Sequence, residues 1–99
     1  MSYTFINKPA VKADIINAVD YYKKISPKLA KQFLFRIREA KIYIKRSPLA
    51  FEIKYKDVRT LHLKQFPFHI HYIIDDNQQR IIILAIIHAY RGPTDYTLR

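Results

Sequence analysis

The chain has no cysteine and no tryptophan, and Gly92 is its only glycine among 99 residues. Without thiols there is no disulfide scaffold, no thiolate metal centre and no sign of an oxidising compartment. A single glycine excludes glycine-rich phosphate loops and flexible linkers. No apolar run approaches the ~20 residues that span a bilayer; the longest, Ile81 to Ile87, is a third of that. Met-Ser-Tyr-Thr-Phe lacks the basic region and apolar stretch of a signal peptide. The expectation is a cytoplasmic protein without membrane association, with residues 1–99 forming one domain with a modest core.

Acidic residues are also scarce. Eight Asp and Glu face eighteen Lys and Arg, a formal charge of +10. Residues 1–50 hold eleven basic and three acidic groups, and residues 51–99 hold seven and five. The excess sits on the first half. Such a balance favours polyanionic partners, either nucleic acid or an acidic protein segment.

Tyr3 to Asn7 reads as a short strand. Pro9 suits a first helical turn, and Val11, Ile15, Ala18, Val19, Tyr22 and Ile25 follow with helical spacing, predicting a helix over 9–24. Ser26-Pro27 caps and starts a second helix, which Ser47-Pro48 stops after Arg46. The short break between them implies an antiparallel hairpin. The core stripe of the second helix is Leu29, Phe33, Ile37, Ala40 and Ile44. Phe35 and Ile42 fall on the opposite side with Arg38 and Lys45, giving a basic face with two apolar anchors. That face is a candidate docking surface; the alternative is a broad apolar face wedged against the sheet.

After Pro48 the period becomes two. A short strand over 52–55 precedes Val58–Lys64, Phe68–Asp75 and Arg80–His88, joined by short turns as an antiparallel meander. The expected fold is α+β: an N-terminal strand, then a two-helix hairpin packed on one face of a three- or four-stranded, largely antiparallel sheet, with the last strand at its centre. Pairing Ile74 with Ile81 and Leu63 with Ile70 puts Ile81, Ile83, Ala85 and Ile87 under the helices. It puts Thr60, His62, Lys64, His69, His71, Ile82, Leu84, Ile86 and His88 on the other face. All four histidines would then share one side. A metal site of His69, His71 and His88 lacks completing ligands and is not expected. His88, at a strand end beside Arg91, is the strongest acid–base candidate. A lone histidine is more often structural, and the imidazoles would equally suit a surface that binds a peptide or nucleic acid.

The order of elements carries a resemblance. Val58-Arg59 opens the sheet, Phe66-Pro67-Phe68-x-Ile70-x-Tyr72 crosses it, and Ile86-x-His88-x-x-Arg91-x-Pro93 closes it. With Ala18, Tyr22, Phe33, Ile37, Pro48 and Ile83, these residues resemble the RelE/ParE superfamily of type II toxins from Ala10 to Pro93. The closing motif is more similar to the ParE, or plasmid-stabilisation, branch. The resemblance implies a toxin silenced by a cognate acidic antitoxin, in a possible hetero-oligomer, with no cofactor. ParE-like toxins inhibit DNA gyrase; RelE-like toxins are metal-independent endoribonucleases that cut mRNA on the ribosome. For the second, the resemblance assigns His88, Arg91, Arg59 and Tyr96 to catalysis, with Lys54 and Lys56 on the backbone. Lys54, Lys56, Lys64, His62, His69 and His71 are candidates to meet nucleic acid or target. Phe35, Arg38, Ile42, Lys45, Ile82, Leu84 and Ile86 are candidates to meet the antitoxin. A non-toxic basic binding module is the third reading.

Overall fold

The computed structural model describes residues 3–99. Strand β1 (Thr4–Asn7) leads into α1 (Pro9–Ile25) and α2 (Pro27–Arg46). Strands β2 (Ile53–Tyr55), β3 (Val58–His62), β4 (Phe68–Asp75) and β5 (Arg80–His88) follow, and a 3₁₀ turn over Tyr96–Leu98 ends the chain. Ser26 joins the helices by serving both: its N–H donates to Tyr22 O, and its side chain accepts from the Lys28 N–H at 3.2 Å. Both helices begin with proline, whose missing N–H costs nothing in a first turn. Among the described residues no helix is long and apolar enough to cross a membrane.

The sheet has five strands in the order β1-β5-β4-β3-β2. It is one strand larger than expected, because β1 joins it in parallel beside β5, pairing Phe5 with Ile81 and Asn7 with Ile83. Strand β5 is interior, but β4 holds the centre. Burying β5 on both edges and both faces explains its unbroken apolar run.

The expected pairing of Ile74 with Ile81 is present. Two other expectations fail. Leu61, not Leu63, lies opposite Ile70, since β3 ends at His62 and Leu63 already belongs to the turn, where its N–H donates to Phe68 O. And β5 bulges: Tyr72 faces Ile83 while His71 faces Ala85, leaving Leu84 as the extra residue. Past the bulge, every side chain changes face. Ile86 therefore joins Val11, Phe33, Ile70, Tyr72, Ile81 and Ile83 beneath the helices. Ala85 and Ile87 join Leu84 and Val58 on the other side, covered by Tyr96.

Pairing with β1 ends at Ile83, and past that point two charged side chains satisfy backbone groups of β5. The Ile86 N–H donates to the Asp14 carboxylate of α1 at 3.0 Å. Arg99 donates to Leu84 O at 3.2 Å and to Asp14 Oδ1 at 2.9 Å. The last residue of the chain is thus tied to its first helix. Beneath the helices, Tyr22, Phe33, Phe66 and Phe68 form an aromatic cluster, with Tyr22 and Phe66 centroids 4.8 Å apart and Phe33 and Phe68 5.0 Å apart.

Candidate functional site

Two clefts flank the end of β5. One, about 540 Å³, opens on the face away from the helices, between β2, the strand ends and the C-terminal strap. The other, about 770 Å³, lies between α1 and the end of β5. His88 and Arg91 border both.

The bulge decides where His88 points. It sits directly opposite Phe68, with ring centroids 5.4 Å apart, and so turns to the helix side. The expectation that four histidines share a face is corrected to three. Its Nδ1 accepts from the Tyr90 N–H at 3.2 Å, which leaves the proton on Nε2. Arg91 is exposed, and its guanidinium has no hydrogen-bond partner among the described residues.

His62, His69 and His71 do line up on the open face. Ring centroids are 4.9 Å apart for His62 and His69 and 6.2 Å for His69 and His71. Tyr55 and Tyr96 continue the row, 5.8 and 5.1 Å from His71. A relay fixes its inner end: the Tyr96 N–H donates to Tyr55 Oη at 3.3 Å, which frees the Tyr55 hydroxyl proton for His71 Nδ1 at 3.2 Å. Burial, then the neighbouring His69 and Arg99, push the His71 pKa down to about 4. Burial, His62 and Lys54 lower that of His69. Both rings are neutral at neutral pH.

The remaining candidates separate. Lys54 and Lys56 line the open cleft; Lys54 pairs with Glu52 at 3.3 Å, and Lys56 with Asp95. Lys64 is not with them. The early end of β3 places it over α2, where its Nζ donates to Tyr43 Oη at 3.2 Å. Arg59 faces the helix side opposite Tyr72, and its Nη1 donates to Phe51 O at 2.7 Å and Leu49 O at 3.2 Å. It braces the connection after α2. Tyr96 is 4 % exposed and fills the apolar cluster of Val58, Leu84, Ala85 and Ile87.

On α2, Phe35 and Ile42 are more than half exposed, with Arg38 and Lys45 exposed beside them. Ile82, Leu84 and Ile86 do not extend that surface. Leu84 is sealed beneath the strap, Ile82 packs against the same cluster, and Ile86 is buried on the helix side. Sequence reasoning missed Tyr55, Asp95, Asp14 and Arg99. One signal was available for Asp95: Asp-x-Thr is a side-chain turn motif, and its carboxylate accepts from the Thr97 N–H at 3.0 Å. Asp14 and Arg99 act on a bulge that no sequence pattern announces.

The family model of the ParE toxin of the type II toxin–antitoxin system parDE matches residues 6–92. The chain belongs to this family. A ParDE system of P. aeruginosa has a similar structure, with 22% identity, a TM-score of 0.75, and 88% of this chain and 96% of that one covered. The RelBE2 toxin–antitoxin complex of Mycobacterium tuberculosis aligns at 17% identity and a TM-score of 0.58, covering 89% and 99%. The isolated RelE toxin of E. coli aligns at 13% identity and 0.60, covering 92% and 88%. At these identities the structural likeness establishes the fold. A comparison with curated protein sequences gives no match. The ParE chain is accordingly the toxin of a toxin–antitoxin module.

Proposed function

We propose that this ParE toxin arrests growth by binding DNA gyrase in the cytoplasm and holding its cleaved DNA complex, without phosphodiester chemistry of its own. One observation carries the choice: of the four residues expected for catalysis, His88 and Arg91 share the open cleft with Lys54 and Lys56, and the other two are engaged elsewhere. Cleavage through the 2′-hydroxyl requires a base, a cation on the phosphorane and an acid at the leaving oxygen, all within reach of one phosphate. Arg59 is spent on two backbone carbonyls, Tyr96 is in the core, and His88 turns away from the imidazole row.

An acidic antitoxin segment is the partner that fits the outer face of α2. Phe35 and Ile42 supply apolar anchors about two turns apart, and Arg38 and Lys45 supply the opposite charge. A segment that orders itself on such a face offsets its ordering entropy by burying those anchors.

Purified toxin added to gyrase and supercoiled DNA is expected to raise the yield of cleaved complexes, while ribosome-bound mRNA stays intact by primer extension. The reverse pattern, mRNA cut and the cutting lost in His88→Ala or Arg91→Ala, would establish an endoribonuclease instead.

A further inference from the structure

The open cleft combines two features that a protein-binding role does not require. The first is charge. Lys54, Lys56 and Arg91 stand at its border; Lys54 and Lys56 are in solvent-exposed ion pairs with Glu52 and Asp95 that a phosphate would displace, and Arg91 has no ion-pair partner among the described residues. The second is a continuous row of flat rings. His69 lines the cleft half-exposed, with exposed His62 beside it just outside, while His71 and the two tyrosines back them from within. The relay from Tyr96 through Tyr55 holds the inner ring still. Burial first, then neighbouring groups, hold His69 and His71 below the ordinary imidazole range, so neither adds a cation to the cleft at neutral pH.

Cations that track phosphates beside rings that stack on bases are the two requirements for holding a single nucleic-acid strand. A duplex does not meet them, because its base faces are already stacked on one another. A cleft of about 540 Å³ also lies within the range of small-ligand sites, enough for a nucleotide unit. We propose that this cleft binds an unpaired stretch of DNA without cutting it, one base against His69 and the next against His62 just outside the cleft, with phosphates along Lys54, Lys56 and Arg91. The choice of DNA over RNA rests on the gyrase reading, since gyrase acts on DNA; the single-strand preference does not.

Fluorescence anisotropy tests this with a labelled mixed-sequence 12-mer DNA strand, its duplex and the RNA of the same sequence, at one salt concentration. The single DNA strand is expected to bind about tenfold tighter than the duplex. His69→Ala should weaken it by about tenfold, the loss of one stacking partner, while His69→Phe keeps the ring and the affinity. Lys54→Ala should weaken binding and flatten its salt dependence; Lys64→Ala removes the same charge from over α2 and should do neither. Duplex binding as tight as the single strand, or no effect of His69→Ala, would overturn the proposal in favour of charge alone. Tighter binding to RNA would overturn the choice of DNA. Gyrase assays on the same preparations keep the two readings apart. Gyrase poisoning without strand binding sinks only this inference, and strand binding without poisoning sinks only the gyrase target.

Discussion

On one face of the sheet, helices of 17 and 20 residues lay Phe33, Ile37 and Ile44 over Ile70, Tyr72 and Ile83. On the other, a single short strap drops Tyr96 onto Val58, Leu84, Ala85 and Ile87. The first cover is built from local helical periodicity and a four-ring cluster. The second hangs on one side chain, helped by Lys56–Asp95 and Arg99–Asp14. The thinner cover leaves room: the imidazole row and the lysines lie on the strap side. A sheet sealed on one side by helices can keep its other side open for a partner, because the first side alone supplies most of the apolar burial.

Truncating one anchor on each face breaks or confirms that contrast. Phe33 is fully buried within the aromatic cluster. Phe33→Ala is expected to cost about 3–5 kcal/mol, from lost transfer energy and an unfilled cavity, and to lower the urea midpoint of the whole chain. Tyr96→Ala should cost roughly 1–2 kcal/mol, because residues 89–99 let go while the rest stays folded. Hydrogen exchange checks the second half: protection should fall in the strap and at β2, and hold in the helices. Equal losses for the two variants, with exchange raised everywhere, would make the strap an integral part of the core.

Acid probes the open face selectively. His71 keeps its proton off down to about pH 4 when folded, against a value near 6.5 in the unfolded chain. Between those pH values the unfolded state binds more protons, so stability falls as pH falls through the window. The full shift corresponds to at most about 3 kcal/mol, less to the extent that water reaches the ring. Urea midpoints measured from pH 7 to pH 4 should show this decline, and His71→Phe should remove most of it. A variant that declines as steeply as the parent would assign the acid sensitivity elsewhere.

The helix-covered face was largely legible in the sequence. Proline at each helix start, serine at the joint and the stripe through Phe33, Ile37 and Ile44 announce the hairpin, and alternation along Phe68–Asp75 announces β4. Reading failed where the pattern stops carrying phase. Seven consecutive apolar residues look the same whichever face each one takes, so nothing in Ile81–Ile87 reveals that Leu84 is an extra residue. That one slip sends Ile86 and His88 to the helix side and Ala85 and Ile87 to the other. The nuclease residues expected from the resemblance fall apart for a related reason. Arg59 alternates with Thr60 and His62, which puts it on the covered side of a plain strand, and pairing with Tyr72 holds it there. The strap has no periodicity, and Tyr96 is positioned by contacts with residues 9 to 41 positions away in sequence, which no local pattern encodes.

The smallest expected effect is the most discriminating for the strap. The Tyr96 hydroxyl is buried and has no hydrogen-bond partner among the described residues, although its ring packs against His71 and beneath the Arg99 guanidinium, 5.0 Å from its centroid. A buried hydroxyl without a partner loses its hydration and gains nothing in return. Tyr96→Phe keeps the ring, the apolar contacts and the backbone N–H that binds Tyr55, and removes only that group. Stability should stay level or rise by up to about 1 kcal/mol, read as a small upward shift of the urea midpoint with unchanged slope. Strap exchange protection should be preserved as well. A fall of more than about 1 kcal/mol would mean that the hydroxyl has a partner in solution, a bound water or a shifted side chain, and that the open face is held by a polar contact as much as by its ring.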